Sequence, residues 1–327
     1  MSFSRRAFLF AGLSAPLLLT HTACSRGSGA PAPGGKTQVK FALNWVPEPE
    51  FGGFYAARES GAFAREGLEV ELLGGGPGSP VVQMVATGQA EFGVAGADEI
   101  LMARARGADV LPVFATFQTF PQCIMTHPER PVKSLAEVFA GGTIAIEPGV
   151  PYAGWLKKKF GFDKVKVVPY DGGVAQFVAS KEFAQQCFVF SEPLAARRKG
   201  VEPHVFLVAD EGFNPYAAVV ITRAALWKEK PDLVRALRRA AQAGWRAYLD
   251  DPKPANAAMG KLNTSMDAET FAAAADAQRS LVETSEAKEK GLGVMTRARW
   301  ETLGNQLVEI GVLDKAPDLD ALLVATT

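Results

Sequence analysis

The chain has 327 residues, 48% of them apolar, with 35 basic residues against 35 acidic ones. That length suits one large or two medium domains, and the apolar share is enough for a sizeable core. The even charge excludes a basic nucleic-acid surface, and three histidines and three cysteines without clustered spacing exclude a zinc site.

Residues 1–23 read as an export signal. Arg5 and Arg6 precede an apolar run from Ala7 to Leu19 that is too short and too near the start for a convincing membrane span. Ser4-Arg5-Arg6-Ala7-Phe8-Leu9 is similar to a twin-arginine signal, and an ordinary secretory signal carrying two arginines fits equally. Thr22-Ala23-Cys24 resembles a lipoprotein cleavage site with Cys24 as the lipidated residue, although His21 stands where an apolar residue is usual. Residues 24–37 are rich in Ser, Gly and Pro and read as a flexible tether. Loss of residues 1–23 removes two arginines and no acids, leaving the mature chain at −2. Cys123 and Cys187 are expected to be buried free thiols.

From Gln38 onward strands and helices alternate. Val39, Phe41 and Leu43 mark a first strand, Gly53 to Ser60 a helix, and Leu68 to Leu73 a second strand. "GGGPGS" leads into a helix over about 80–87 with Ser79 as its expected cap. Phe92 to Ala95 is a short strand, Asp98 is expected to cap a helix through Arg106, and Val110 to Thr116 is the next strand. Ser134 and Glu137 form an S-x-x-E capping box ahead of a strand over Thr143 to Glu147. A helix in "PGVPYAGWLKKKF" follows, then strands at Val165–Val168, Phe188–Phe190 and Val205–Val208, with helices after "YDGG" and at "SEPLAARRKG". After Ala218–Thr222 the chain turns mainly helical. Leu233, Leu237, Ala241 and Tyr248 share one helical face, and Gly244 on that face weakens the reading. The pattern predicts an α/β fold with mostly parallel sheets.

Ligands of open parallel sheets bind beyond the C-terminal strand ends. The loops expected there are 44–54, 74–80, 95–99, 117–123, 147–155, 170–176, 190–193 and 211–216. They carry many aromatics and many carboxylates, among them Glu48, Glu50, Asp98, Glu99, Glu147, Asp171 and Glu192, and neither Lys nor Arg. Asp98 reads best as a helix cap and Phe54 and Phe117 as core. Trp45, Tyr152, Glu192 and Tyr216 lie in non-periodic stretches near Gly or Pro and read as functional. "GGGPGSP" lacks the Gly-Lys-Ser/Thr ending of a phosphate loop. Ser79 and Ser191 read as caps, and His127 and His204 have no identifiable partner, so no catalytic constellation emerges.

"NWVPEPEFGGFYAARESGAFAREGLEVEL", "GQAEFGVAGADEILMARARG", "FSEPLAARRKG" and "ADEGFNPYAAVVIT" together resemble periplasmic solute-binding proteins related to the thiamine-pyrimidine-precursor binders. The similarity runs from about Val39 to Trp245 and extends to sulfonate, nitrate and riboflavin-type binders and a fungal pyrimidine synthase. It implies a fold like the type II periplasmic binding proteins, with two α/β lobes, residues 38–125 plus 220–327 and residues 126–219, around a ligand cleft. It implies a monomeric receptor of an ABC importer, periplasmic or anchored through Cys24, that closes on its solute and docks on a membrane permease. By the same resemblance Asn44 and Trp45 belong to the first ligand loop, Glu192 to the Glu-Pro motif and Tyr216 to the Asn-Pro-Tyr motif, with Tyr152 and Asp171 as further contacts. The synthase's lysine and histidine are replaced by Ala95 and Glu99, and its cysteine cluster by "EGFNPYAAV", so neither its chemistry nor a cofactor is expected. Loops without cations point to a neutral or cationic planar heterocycle, an aminopyrimidine first and a flavin second. A sulfonate ligand, or an enzyme like the synthase, is the lesser alternative.

Overall fold

The computed structural model describes residues 35–326, so the export signal and Cys24 lie outside the described residues. Strands β1 (Thr37–Ala42), β2 (Leu68–Leu73), β3 (Phe92–Ala95), β4 (Val110–Phe117) and β10 (Ala217–Arg223) form one sheet, in the order β2-β1-β3-β10-β4. Strands β5 (Gln122–Thr126), β6 (Thr143–Ala145), β7 (Lys166–Val168), β8 (Phe183–Phe188) and β9 (His204–Leu207) form the other, in the order β7-β6-β8-β5-β9. The chain passes between the sheets through residues 118–121 and again through residues 208–216. Thr37, the last residue expected in the tether, already belongs to β1, and its N–H donates to Gly67 O at 2.8 Å.

Both sheets are mixed, which corrects the expectation of mostly parallel pairing. Strand β10 runs antiparallel to β3 and β4, and β5 antiparallel to β8 and β9. The cause is topological. The chain leaves the first sheet at the end of β4 and returns from the same side, so the returning strand must run backwards.

Alternation along β1 sends Val39 and Phe41 to one face and Ala42 to the other, and each face meets its own hydrophobic cluster. On the first face Phe41 packs on Phe54 at 4.9 Å between ring centroids, and Phe54 meets Trp245 edge-on at 6.0 Å. Each such ring contributes about 1.5–3 kcal/mol by burial. Strand β4 is buried along its whole length. Its outer edge is covered from the C-terminal helical part, where Ala115 N–H donates to Gly293 O at 3.1 Å and Gln118 N–H to Leu281 O at 2.8 Å.

Gly244, a weakness in the helical pattern, is the point of closest approach between the helices Pro231–Asp250 and Gly52–Glu59. A Cβ there would lie 2.2 Å from Gly53 O, and one on Gly53 would lie 2.2 Å from the Trp245 ring. Glycine at 244 lets the two backbones approach, and glycine at 53 makes room for the Trp245 ring.

Several caps differ from expectation. Ser79 does not cap the helix Val81–Ala86; its Oγ accepts from Gly76 N–H at 2.8 Å and closes the glycine-rich turn. The helix Ala97–Ala105 is capped by Glu99, which accepts from Gly96 N–H at 2.8 Å, and Asp98 sits inside its first turn. Ser134 Oγ accepts from Glu137 N–H at 3.3 Å, while the Glu137 carboxylate accepts from Lys133 N–H rather than from Ser134. Ser191 occupies the cap position of the helix Glu192–Arg198 without a side-chain hydrogen bond. The stretch "FAQQCF" forms β8 and ends at Phe188, where the sequence pattern started a strand. Cys123 and Cys187 are buried free thiols at facing register positions of β5 and β8.

Both passages between the sheets are tied to one side chain. Arg299, on the helix Arg297–Glu309, donates through Nε to Asn214 O at 2.7 Å and through Nη2 to Asn214 Oδ1 at 2.9 Å and Pro215 O at 3.1 Å. Its Nη1 donates to Gln118 O on the other passage. Asn214 Oδ1 also accepts from Phe120 N–H at 2.8 Å, and the guanidinium lies 4.0 Å over the Tyr216 ring. Removing this fan strands several carbonyls in a half-buried place. Arg299→Met is expected to destabilise the protein by about 3 kcal/mol in urea unfolding, because charged hydrogen bonds are the strong ones. Arg297→Met, which loses only the exposed pair with Asp320, is expected to cost under about 1 kcal/mol. Equal costs would remove Arg299 from this role.

Candidate functional site

A cavity of about 400 Å3 opens where the two sheets face one another with their strand ends. On the first sheet's side it is lined by Asn44 after β1, by Gly96, Asp98 and Glu99 after β3, by Phe117 at the end of β4, and by Ala217 and Ala218 at the start of β10. On the second sheet's side stand Gln122 at the start of β5, the segment Glu147–Tyr152 after β6, and Gln186 and Phe188 on β8. Phe120 and Pro121 come from the first passage, and Glu50 from the loop after β1. The cavity thus lies beyond the C-terminal ends of β1, β3, β4, β6 and β8, where open sheets bind ligands.

The first loop is positioned by backbone contacts. Leu43 N–H donates to Leu73 O and Gly75 N–H to Trp45 O at 2.9 Å, and a Cβ on Gly75 would lie 2.2 Å from Leu43 O. Trp45 is thereby held outward, 38% exposed, one residue from the cavity wall. Asn44 stands at that wall, and its Oδ1 is buried without a partner among the described residues. Ala218 has φ of 48°, a left-handed conformation that costs an alanine energy. That strain falls on the cavity wall.

Among the described residues no Lys or Arg lines the cavity, whereas Glu50, Asp98, Glu99 and Glu147 do. Burial pushes the Glu50 carboxyl up to about 8, with the charge of Glu48 adding to it. Glu48 rises to about 7 because its burial outweighs the lowering effect of the Trp45 side chain, and Glu192 adds a further push. Asp98 rises to about 6 through burial and then Glu99. Among the described residues no group of three His, Cys, Asp or Glu side chains is placed to hold a metal ion.

Of the six residues singled out in the sequence, Asn44 and Tyr152 line the cavity and Trp45 borders it. Glu192 is half-buried behind it. Its Oε1 accepts from Tyr170 OH at 2.5 Å and its Oε2 from Phe188 N–H at 2.8 Å, so each oxygen already holds one hydrogen bond. Burial raises its carboxyl, and these hydrogen bonds oppose the rise. Asp171 is exposed and accepts from Gly173 N–H at 3.0 Å, a local turn contact. It follows β7, an edge strand, and edge-strand loops stand away from the cleft centre. Tyr216 is fully buried beside Trp300, and its hydroxyl accepts from Thr296 N–H at 2.9 Å. It belongs to the core rather than to the cavity wall.

A family model described as NMT1/THI5 like matches residues 48–255. The chain belongs to the NMT1/THI5-like family. It is 30% identical over 260 residues to riboflavin-binding protein RibY of Chloroflexus aurantiacus, covering 76% of this chain and 73% of that protein. It is 24% identical to a formylaminopyrimidine-binding protein of Halalkalibacterium halodurans, covering 71% and 72%. Among solved structures, the periplasmic aliphatic sulphonate binding protein SsuA of Escherichia coli matches with a TM-score of 0.68 at 12% identity, over 89% of this chain and 92% of that one. At that identity the likeness is one of fold, and the fold is that of the periplasmic binding proteins.

In this NMT1/THI5-like chain the sequence reading held Gln122 within the expected loop 117–123 without singling it out, and it missed Gln186 and the pair Ala217–Ala218. The glutamines carried a signal: they are polar residues in apolar strands, only 4% and 8% exposed.

The raised carboxyls have a directional consequence. Glu50 is neutral more readily folded than unfolded, so its burial costs stability above pH 8 and costs nothing below about pH 4.5, its ordinary value. Glu50→Gln is therefore expected to stabilise the ligand-free protein at pH 8.5 by about 1–2 kcal/mol and to be neutral at pH 5, as read by denaturant midpoints. An equal effect at both pH values would contradict the buried carboxyl.

Proposed function

We propose that this chain is an extracytoplasmic solute receptor that captures a small planar nitrogen heterocycle between two lobes and presents it to a membrane permease of an ABC importer. The observation that carries this reading is the cavity's chemistry: aromatic rings and carboxylates with no Lys or Arg on its wall among the described residues. A sulfonate or nitrate needs positive charge or several aimed N–H groups, and its approach to the Glu99 and Glu147 side chains is unfavourable. An amino or ring N–H gains from the same acceptors. The names of two relatives, a riboflavin binder and a formylaminopyrimidine binder, fit such a ligand. Aminopyrimidines and flavins are the classes to test.

In this reading Trp45 stacks on the ring, and Asn44 and Tyr152 bound it. Glu192 acts indirectly, through its hold on Tyr170 and Phe188. The lobes are residues 38–117 plus 217–327 and residues 122–207, moved from the expected boundaries at 125/126 and 219/220 because β5 pairs within the second sheet and β10 within the first, and they close about the passages 118–121 and 208–216. The expected signal over residues 1–23 favours a place outside the cytoplasm, with Cys24 as a lipid anchor. The protein then acts as a monomer without cofactor, and as a receptor rather than an enzyme.

Ligand at about 100 times its dissociation constant stabilises a binding protein by roughly 2.7 kcal/mol. A rise in Tm is expected when ligand-stripped protein meets an aminopyrimidine or a flavin, and none with taurine or nitrate. Trp45→Ala is expected to weaken the heterocycle about tenfold in titration calorimetry, the loss of roughly 1.4 kcal/mol of stacking. A shift with taurine or nitrate, with silence from every heterocycle, would overturn the proposal.

A further inference from the structure

Two side chains of the second sheet stand in the cavity half-satisfied. Strands β5 and β8 pair antiparallel with Gln122 opposite Phe188 and Ile124 opposite Gln186, so Gln122 and Gln186 are diagonal neighbours on one sheet face. Both line the cavity and both are more than nine-tenths buried. Gln186 Oε1 accepts from Glu147 N–H at 2.6 Å and from Tyr152 OH at 2.6 Å. Gln122 Nε2 donates to Cys187 O at 3.2 Å and to Cys123 O at 3.4 Å.

Backbone groups fix the sense of each amide. A peptide N–H can only donate and a carbonyl oxygen only accept, so Gln186 must turn its oxygen to Glu147 and Gln122 its nitrogen to the two cysteine carbonyls. That leaves Gln186 Nε2 as a free donor and Gln122 Oε1 as a free acceptor. Neither makes a hydrogen bond among the described residues, and both side chains line the cavity. Buried amide groups are nearly always paired, so two complementary free groups on one wall call for a partner from outside.

We propose that Gln122 and Gln186 read the polar edge of the ligand: Gln122 Oε1 accepts a ring or amino N–H, and Gln186 Nε2 donates to the adjacent ring nitrogen or carbonyl oxygen. The assignment rests on the reading of the site as a heterocycle receptor and narrows it. The ligand is a heterocycle presenting a donor and an acceptor side by side, as in a cyclic amide or an amino-imine edge. Carboxylates alone would select for charge; this pair selects for the order of hydrogen-bonding groups along one edge.

The test is titration calorimetry of ligand-stripped full mature chain with two matched pairs: 4-amino-2-methylpyrimidine and its 4-dimethylamino derivative, and lumiflavin and its 3-methyl derivative. Methylation removes the donor and keeps the ring. For at least one pair, wild type is expected to bind the parent at least tenfold more tightly than the methylated compound. Gln122→Met is expected to weaken the parent about tenfold and to close the gap to within twofold. Gln186→Glu keeps oxygens for Glu147 N–H and Tyr152 OH but removes the donor. It is expected to weaken parent and methylated compounds alike, which keeps the test open if Gln122→Met does not fold. Wild type that binds a parent but does not discriminate, or Gln122→Met with the wild-type ratio, would overturn the assignment. Absence of binding by both parents would instead overturn the heterocycle reading, and this assignment with it.

Discussion

One guanidinium governs how the two sheets face each other. The chain passes between them twice, and Arg299 grips both passages through Gln118 on one and Asn214 and Pro215 on the other. Burial lowers the pKa of this arginine, so the site is costly for a charge, and the cost is offset because its donors meet fixed carbonyls and its face meets Tyr216. A lysine could not replace it, since a single ammonium cannot fork to acceptors on two segments. Everything at the cavity hangs from these passages: Phe117 and Phe120 flank the first, and Ala217 and Ala218 follow the second.

The two walls of the cavity differ in kind. The first sheet's side brings Glu50 and Asp98 into a place where burial resists their ionisation, with Glu99 beside them, and among the described residues no cation lines the cavity to offset them. The second sheet's side brings one carboxylate, Glu147, together with neutral amides locked by backbone contacts and a tyrosine. Carboxylates whose charge is suppressed in the empty cavity gain most from a partner that donates protons or carries positive charge. Rigid amides add direction to that preference. Neither wall alone defines a ligand.

Much of this was legible in the residues. Alternation along Val39–Leu43 and the Gly-bounded helix after it gave a strand and helix close to those observed, and the absence of cations in the loops survives as the absence of cations on the cavity wall. What was hidden depended on distant partners. Tyr216 sits beside Asn-Pro like a loop residue, but Thr296, eighty residues on, ties its hydroxyl into the core. Asp171 looked equivalent to the other loop acids because strand order, which puts β7 at an edge, is not written in local pattern. Gln122 and Gln186 become neighbours only through the register of β5 against β8, and β8 itself was masked by the two glutamines that break its apolar run.

The place of β10 has a consequence for how the molecule is made. It lies between β3 and β4, and β4 has no other strand partner, yet β10 is synthesised only after the whole second sheet. Until residues 217–223 arrive, the buried-type edge of β3 and all of β4, with Phe114 and Phe117, have nothing to pair with. The first sheet therefore cannot mature as the chain emerges. Its completion is a late, long-range closure, slow by its contact order, during which the nascent chain carries two open hydrophobic edges and depends on being kept from other chains.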